Sequence, residues 1–298
     1  MYAVDFDMLQ PHHVAAVIVA VISLIGLSCN WFLSFCICRI KSMSNPFGRL
    51  VISQATGEAI HLSLILLYFC PMVFFDIKSM KEYSHYCGVL LIACFELAVY
   101  MHTLVSINRF LAICFPFYYL RIFTTTITVS LVIGTWLVAV VPSVVIYGFG
   151  DCRFQYCDDY YRFGLAYTEN CPQIPFPTNV PTFASLAAVI IILDFVTFYR
   201  LRAFNKERAQ KHISTWNRAR RVEEVRFFKQ AFIRAIMFTL AIILYYGLPY
   251  NDMHTSLKFI FSTITWVTVL TLDGLFVIVY NRELRSIFCR RPKVVPTN

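Results

Sequence analysis

Charge is scarce in this sequence. Charged residues make up 14% of the 298 positions and hydrophobic residues 58%, with a mean hydropathy of +0.64; a soluble protein of this length needs more charge to cover its surface. Enzyme signatures are missing as well. There is no His-Glu-x-x-His, no Gly-rich phosphate loop and no paired Cys-x-x-C, and His12-His13 is too small a cluster for a metal centre. Neither an enzyme nor a bound metal or cofactor is therefore expected. No N-x-S/T sequon lies in an outer segment, so N-glycosylation is not expected either. Internal repeats of the kind that build many transporters are absent. The first apolar stretch has no basic run before it and no small-residue cleavage site after it, so it reads as an uncleaved helix rather than a signal peptide.

What is present is seven long apolar runs, near 14–38, 48–75, 87–114, 127–148, 181–199, 228–249 and 257–280. Each is about long enough to cross a ~30 Å hydrocarbon core as a helix. An all-α membrane protein follows, a seven-helix bundle forming a single domain over 1–298. The basic residues sit in alternate gaps. Arg39, Lys41 and Arg49 flank the first gap, Arg109 and Arg121 the third, and the fifth holds eleven, from Arg200 through Lys229 and Arg234. The tail has Arg282, Arg285, Arg290, Arg291 and Lys293, whereas Lys78, Lys81, Arg153, Arg162 and Lys258 are all that fall on the other side. With 21 of 26 basic residues on one face, the positive-inside rule makes that face cytoplasmic, with the N-terminus outside and the C-terminus inside. The net charge of +9 is thus placed beside anionic lipid, which attracts each basic residue by roughly 1 kcal/mol, and implies no nucleic-acid partner.

Two connecting segments are long. The outer one, 151–180, carries Cys152, Cys157 and Cys171 among several tyrosines; the inner one, 200–229, is strongly basic. Of the eleven cysteines, most lie inside helices and read as packing. Cys87 opens the third span on the oxidising side, so a disulfide to the outer loop is expected. Cys171 is the first choice of partner and Cys152 the alternative, since the sequence does not choose among the pairings. Cys289, beside Arg290 and Arg291, is a palmitoylation candidate, and 281–289 fits a short interfacial helix with Leu284, Ile287 and Phe288 at helical spacing.

The inner end of the third span reads Ser106-Ile107-Asn108-Arg109-Phe110-Leu111-Ala112-Ile113-Cys114-Phe115-Pro116. It resembles the DRYxAIxxP run of rhodopsin-like G-protein-coupled receptors, with Asn for Asp and Phe for Tyr. Asn30 after Gly26-Leu27, and Trp136 followed by Pro142, fit the same family. Asn45-Pro46-Phe47-Gly48-Arg49-Leu50, its continuation Ser53-Gln54-Ala55-Thr56-Gly57-Glu58-Ala59, the Asp-Cys-x-Phe start at Asp151, and the Asp273-Gly274 to Asn281-Arg282-Glu283 ending are similar to nematode serpentine chemoreceptors of class x. The departures are equally specific. The sixth span has no CWxP, the seventh no NPxxY, and Asn108 removes the carboxylate that would pair locally with Arg109. The one Lys of the seventh span, Lys258, sits at its outer edge and none lies deeper, which argues against a retinal Schiff base.

The resemblance implies a plasma-membrane receptor of a sensory cell, binding a small extracellular molecule and signalling to a heterotrimeric G protein through Asn108, Arg109 and Phe110. A channel or transporter with a central polar path is the alternative. Ionisable groups in hydrocarbon cost roughly 2.5–3.5 kcal/mol and by default face the bundle interior. Asn30, Gln54, Glu58 and Asp273, at comparable depth, are expected to form an intramembrane polar cluster, which Ser53 can join. Asp194 lies nearer the inner end. Glu96 is the expected polar contact of the ligand, with Phe95, Tyr100, Tyr245, Tyr246 and Trp266 as apolar lining.

Overall fold

The computed structural model describes residues 10–40, 43–166, 175–210, 232–245 and 253–289, without the side chains of 175–180, 205–210, 282 and 287–289. Seven apolar helices make the body: α1 (Pro11–Arg39), α2 (Pro46–Phe74), α3 (Ser84–Cys114), α4 (Thr125–Phe149), α5 (Pro175–Gln210), α6 (Phe232–Tyr245) and α7 (Thr255–Tyr280). A further helix, α8 (Arg282–Cys289), follows α7. Local chemistry sets several starts. Pro11 and Pro46 open α1 and α2, where the missing N–H costs nothing. The Asn45 side chain accepts from the Gly48 N–H at 2.9 Å, and Thr124 caps α4 through the Ile127 N–H. Pro71 in α2 follows a widened turn, Ile65–Phe69, which accommodates the carbonyl four residues back that a proline ring would otherwise strike.

Helix α3 is the axis. Its apolar stretch is 78% buried, against 11% for α4 and 33% for α1, so α3 packs on all sides while the outer helices present aliphatic faces outward. Val14, Ile18, Val21 and Ile25 of α1 and Ile133, Leu137 and Val141 of α4 are all exposed. A soluble protein could not tolerate so much contiguous apolar surface; lipid tails cover it here.

The segment after α4, read from sequence only as a long loop, contains a hairpin. Strands β1 (Arg153–Cys157) and β2 (Arg162–Ala166) pair antiparallel, from Arg153 opposite Ala166 to Cys157 opposite Arg162. Alternation explains it, since Phe154 and Tyr156 face the same way, as do Phe163 and Leu165. The hairpin lies across one end of the bundle. The Tyr156 N–H donates to Ser84 Oγ at 3.1 Å, Tyr245 Oη to the Phe163 carbonyl at 3.1 Å and Thr263 Oγ1 to the Tyr161 carbonyl at 2.9 Å. Lys81 binds Asp76 and Asp158, each at 2.5 Å; burial works against its charge, but these bonds outweigh it and hold the ammonium's pKa above its usual value. Close approach of β1 to α3 requires Gly88, because a Cβ there would overlap the Phe154 carbonyl. Gly88→Leu is accordingly expected to lift the hairpin from α3, making 151–166 the first site cut in limited proteolysis while the helices stay protected.

Cys87 is a free buried thiol, packed in the core cluster around Phe69, Phe95 and Trp266. The expected pairing of Cys87 with Cys171 or Cys152 is therefore corrected: Cys87 is a free thiol, in one core cluster with Cys152 but not bonded to it. Cys152 is disulfide-bonded, and since the other described cysteines are free thiols, its partner lies outside the described residues, as do Cys171 itself and the Cys289 side chain.

Candidate functional site

Midway along the bundle, four helices contribute one buried polar cluster. Asp273 of α7 is 3% exposed and receives the Arg234 guanidinium of α6 through both oxygens, Nε on Oδ1 and Nη2 on Oδ2, the latter at 2.7 Å. The Gln54 amide nitrogen of α2 lies 2.7 Å from Asp273 Oδ2, 2.9 Å from Glu58 Oε1 and 3.0 Å from His102 Nε2 of α3. An amide has two hydrogens for these three neighbours. The count closes when His102 Nε2 carries a proton toward Asp273 Oδ2, 3.1 Å away, and Gln54 donates to the two acids. Phe238, one turn along α6 from Arg234, stacks on the His102 ring at 4.2 Å. Glu58, His102 and Asp273 also offer donor atoms within 4.8 Å of one another, a geometry that suits a cation; the cationic partner bonded to Asp273 here is Arg234.

Gln54, Glu58 and Asp273 thus come together. Asn30 lies alongside without joining the acids: its amide donates to the Gly26 carbonyl at 3.0 Å and the Leu270 carbonyl at 3.1 Å, tying α1 to α7. Gly274 allows that approach, since a Cβ there would press on the Asn30 side chain. Ser53 turns away and accepts from Trp136 Nε1 at 2.9 Å. The sequence reading missed His102 and misassigned Arg234. Arg234, counted with the basic loop, is 4% exposed within α6, so its place in the charge tally is corrected. The burial cost that singles out acids applies equally to a cation seven residues inside an apolar run.

Between this cluster and the hairpin lies a cavity of about 70 Å³, lined by His61 and Phe69 of α2, Leu91, Ile92 and Phe95 of α3, Phe154, Arg162 and Phe163 of the hairpin, Tyr245 of α6, and Ser262 and Trp266 of α7, with a few neighbours. At roughly 10–15 Å³ of such space per water, it takes a few waters or one small molecule. Phe95 and Trp266 meet at 4.5 Å between ring centroids. Of the residues expected to contact ligand, Phe95, Tyr245 and Trp266 line this cavity; Glu96 and Tyr100 do not. Glu96 is buried against α4, accepting from Ser143 Oγ at 3.2 Å, and Tyr100 faces a shallow groove with Leu131 and Thr135 of α4. Tyr246 lies outside the described residues.

At the end of α3 away from the hairpin, Arg109 is buried, its guanidinium 4.6 Å from the centre of the Phe47 ring. Asn108 is also buried, within reach of the Tyr119 hydroxyl, and Phe110 stacks edge-on against Phe115. The acid that acts electrostatically on Arg109 most strongly is Asp194 of α5, itself 1% exposed. An acid of a neighbouring helix thus exerts on Arg109 the electrostatic pull that Asn108 lacks.

Seven apolar helices around a central α3, a hairpin over one end and a buried Arg at the other define the rhodopsin-like receptor fold. Squid rhodopsin has the same fold, with a TM-score of 0.77 over 95% of this chain and 82% of that one at 13% identity. Residues 20–281 match the family model of the serpentine type 7TM GPCR chemoreceptor Srx, and the chain belongs to that family. Serpentine receptor class X 45 of Caenorhabditis elegans is 27% identical, covering 96% of this chain and 84% of that protein. Serpentine receptor class X-43 of the same organism is 24% identical, covering 83% and 77%. The protein is a multi-pass membrane protein of receptor type and not an enzyme.

Proposed function

We propose that this chain is a chemosensory receptor of the plasma membrane of a sensory cell, which binds a small molecule from outside in the hairpin-covered cavity and signals to a heterotrimeric G protein around Arg109. The observation that carries the reading is the cavity: a largely apolar space with few polar groups, lined by α2, α3, α6 and α7 and, on one side, by the hairpin. The hairpin end faces outward in this reading, in keeping with the charge distribution. Ligand binding favours one helix arrangement over another by its differential affinity for the two. The polar cluster joins α2, α3, α6 and α7 directly beneath the cavity, so a shift of Phe95 or Trp266 is passed to groups that hold α6 against α7. The channel alternative is not favoured, because the acids it would need along a path are joined to Arg234 and Gln54, or turned toward α4.

The test is a screen of diverse small molecules on surface-expressed receptor with G-protein activation as readout, repeated on a cavity-filling variant. Leu91→Trp at matched surface level is expected to weaken the response to any active compound about tenfold or more, the scale of losing 1.4 kcal/mol of contact. Glu96→Gln and Tyr100→Phe leave it unchanged. A response insensitive to Leu91→Trp but lost in Glu96→Gln would place the ligand against α4 instead.

A further inference from the structure

The protons at the cavity wall constrain what the cavity takes. Three of its lining residues carry hydroxyls, and each spends its single proton elsewhere. Tyr245 Oη donates to the Phe163 carbonyl at 3.1 Å, Thr263 Oγ1 to the Tyr161 carbonyl at 2.9 Å and Ser262 Oγ to the Lys258 carbonyl at 2.5 Å. What these oxygens keep is lone pairs. His61 of α2 adds another. It lines the cavity and is 5% exposed, and its Nδ1 has no hydrogen-bond partner among the described residues. The backbone of Leu91 bonds the ring, and since Nδ1 is the nitrogen left open, that bond falls to Nε2. The Leu91 N–H is taken up within α3 by the carbonyl four residues back. The Leu91 carbonyl is thus the group left for His61, so Nε2 carries the ring proton and Nδ1 presents a lone pair.

Donors are fewer. Arg162 is already engaged, its guanidinium 5.5 Å from the centre of the Tyr160 ring, and the Trp266 indole brings one N–H. The described lining residues include no Asp or Glu, so an ammonium would lose its water here without gaining a counter-charge. Much of the remaining wall is aromatic, with Phe69, Phe95, Phe154, Phe163 and Trp266 around the space. The Trp266 ring links the polar and apolar parts, 6.4 Å from the His61 ring and 4.5 Å from Phe95 between centroids.

Resting on the proposed ligand site, we propose that this cavity selects a small neutral phenol, its hydroxyl donating to His61 Nδ1 and its ring laid among Phe69, Phe95 and Trp266. A hydroxyl gives a proton to a wall rich in acceptors and can take one from an indole N–H. An ether or ketone oxygen only accepts, and a hydrocarbon leaves the buried Nδ1 without a partner, which costs its desolvation. A flat ring meets the surrounding rings edge to face. It also has few rotatable bonds to freeze, whereas an alkanol of the same volume loses rotamers on binding.

The experiment is ligand-induced thermal stabilisation of the purified receptor in lipid nanodiscs, which needs no G protein. The probes are p-cresol, p-xylene and 4-methylanisole, which share a ring and carry a hydroxyl, a methyl or a methoxy group at one position. Partition into lipid is common to the receptor and its variants, so binding at the cavity is the part that Leu91→Trp removes. p-Cresol is expected to bind about tenfold or more tightly than either of the others, the scale of satisfying one buried polar atom. His61→Phe should bring the three probes together, and His61→Asn, whose amide oxygen stands in for Nδ1, should restore part of the preference. Melting without probe reports that each variant is folded, and the three probes on the unmutated receptor test the hydroxyl without any variant. Equal binding of p-cresol and p-xylene, abolished by Leu91→Trp, would overturn the phenol inference and leave the cavity as the ligand site. A p-cresol preference undiminished in His61→Phe would overturn the role of His61. p-Cresol binding untouched by Leu91→Trp would overturn the cavity and, with it, this inference. No binding of p-cresol to the unmutated receptor would also overturn it.

Discussion

Asp273→Asn is expected to strip most folded receptor from the cell surface, and Arg234→Gln to do the same. Each leaves its partner as an uncompensated charge in a water-free interior, where breaking a buried pair from one side costs about 3–5 kcal/mol. The hydrogen-bond census makes the asymmetry steep. Asp273 accepts two bonds from Arg234 and one from Gln54, with His102 at 3.1 Å, whereas Arg234 is the single formal cation in direct contact with it among the described residues. The double variant Asp273→Asn/Arg234→Gln removes both charges together and should be more stable than either single one. Heating the detergent-solubilised receptor and measuring the fraction still folded gives the double-mutant cycle. Losses that simply add in the double variant would mean the pair is not an energetic unit. Glu58→Gln is the internal control: it keeps the shape and a contact to Gln54 while leaving the Arg234–Asp273 pair intact, so its cost is smaller.

Arg109→Ala is expected to cut G-protein activation by about tenfold or more, 1.4 kcal/mol in coupling, at equal surface level and with ligand binding unchanged. Arg109 is far along α3 from the cavity, and its neighbours are Phe47, Asn108 and Asp194, none of which touches the ligand space. A guanidinium has five donors in a rigid fork, so Arg109→Lys should rescue only in part. Asp194→Asn should move the receptor the other way. It removes the acid whose field acts on Arg109 from α5, and a raised ligand-free signal would mark that interaction as a brake on activation. Basal signal unchanged in Asp194→Asn, with Arg109→Ala still inactive, would confine Asp194 to packing. Loss of ligand binding together with signal in Arg109→Ala would show instead that the residue supports the whole bundle.

The two ends of α3 show how far residue patterns reach. Leu91 and Phe95 share one face of that helix and Glu96 with Tyr100 another about 100° away, a separation that the 3.6-residue period makes plain. Which face meets a cavity is not a property of the period. It depends on where α7 brings Trp266 and where the hairpin brings Phe163, so two of the six residues chosen as ligand contacts point to α4 instead. The hairpin was legible in its alternation but overshadowed by the tyrosines and cysteines around it. Arg234 is the clearest case. Near the end of an apolar run, an arginine can snorkel to water or turn inward, and local sequence is the same for both; a rule that counts basic residues by gap assigns it to water.

Hydrocarbon offers no partner for backbone N–H and C=O groups, so a chain with seven runs of this length and this little charge is bound to span as helices. The alternation of basic residues between gaps, the acids stranded at mid-depth and the Asn-Arg-Phe ending of α3 were likewise written in the residues alone. The partners were not. Asp273 lies 219 residues from Gln54 and 39 from Arg234, and which of several buried acids takes the Arg234 guanidinium is settled only when α2, α3, α6 and α7 pack side by side. The same packing, together with a hairpin laid across its end, encloses the cavity, because an empty space has no residues of its own and exists only where faces of separate helices fail to close.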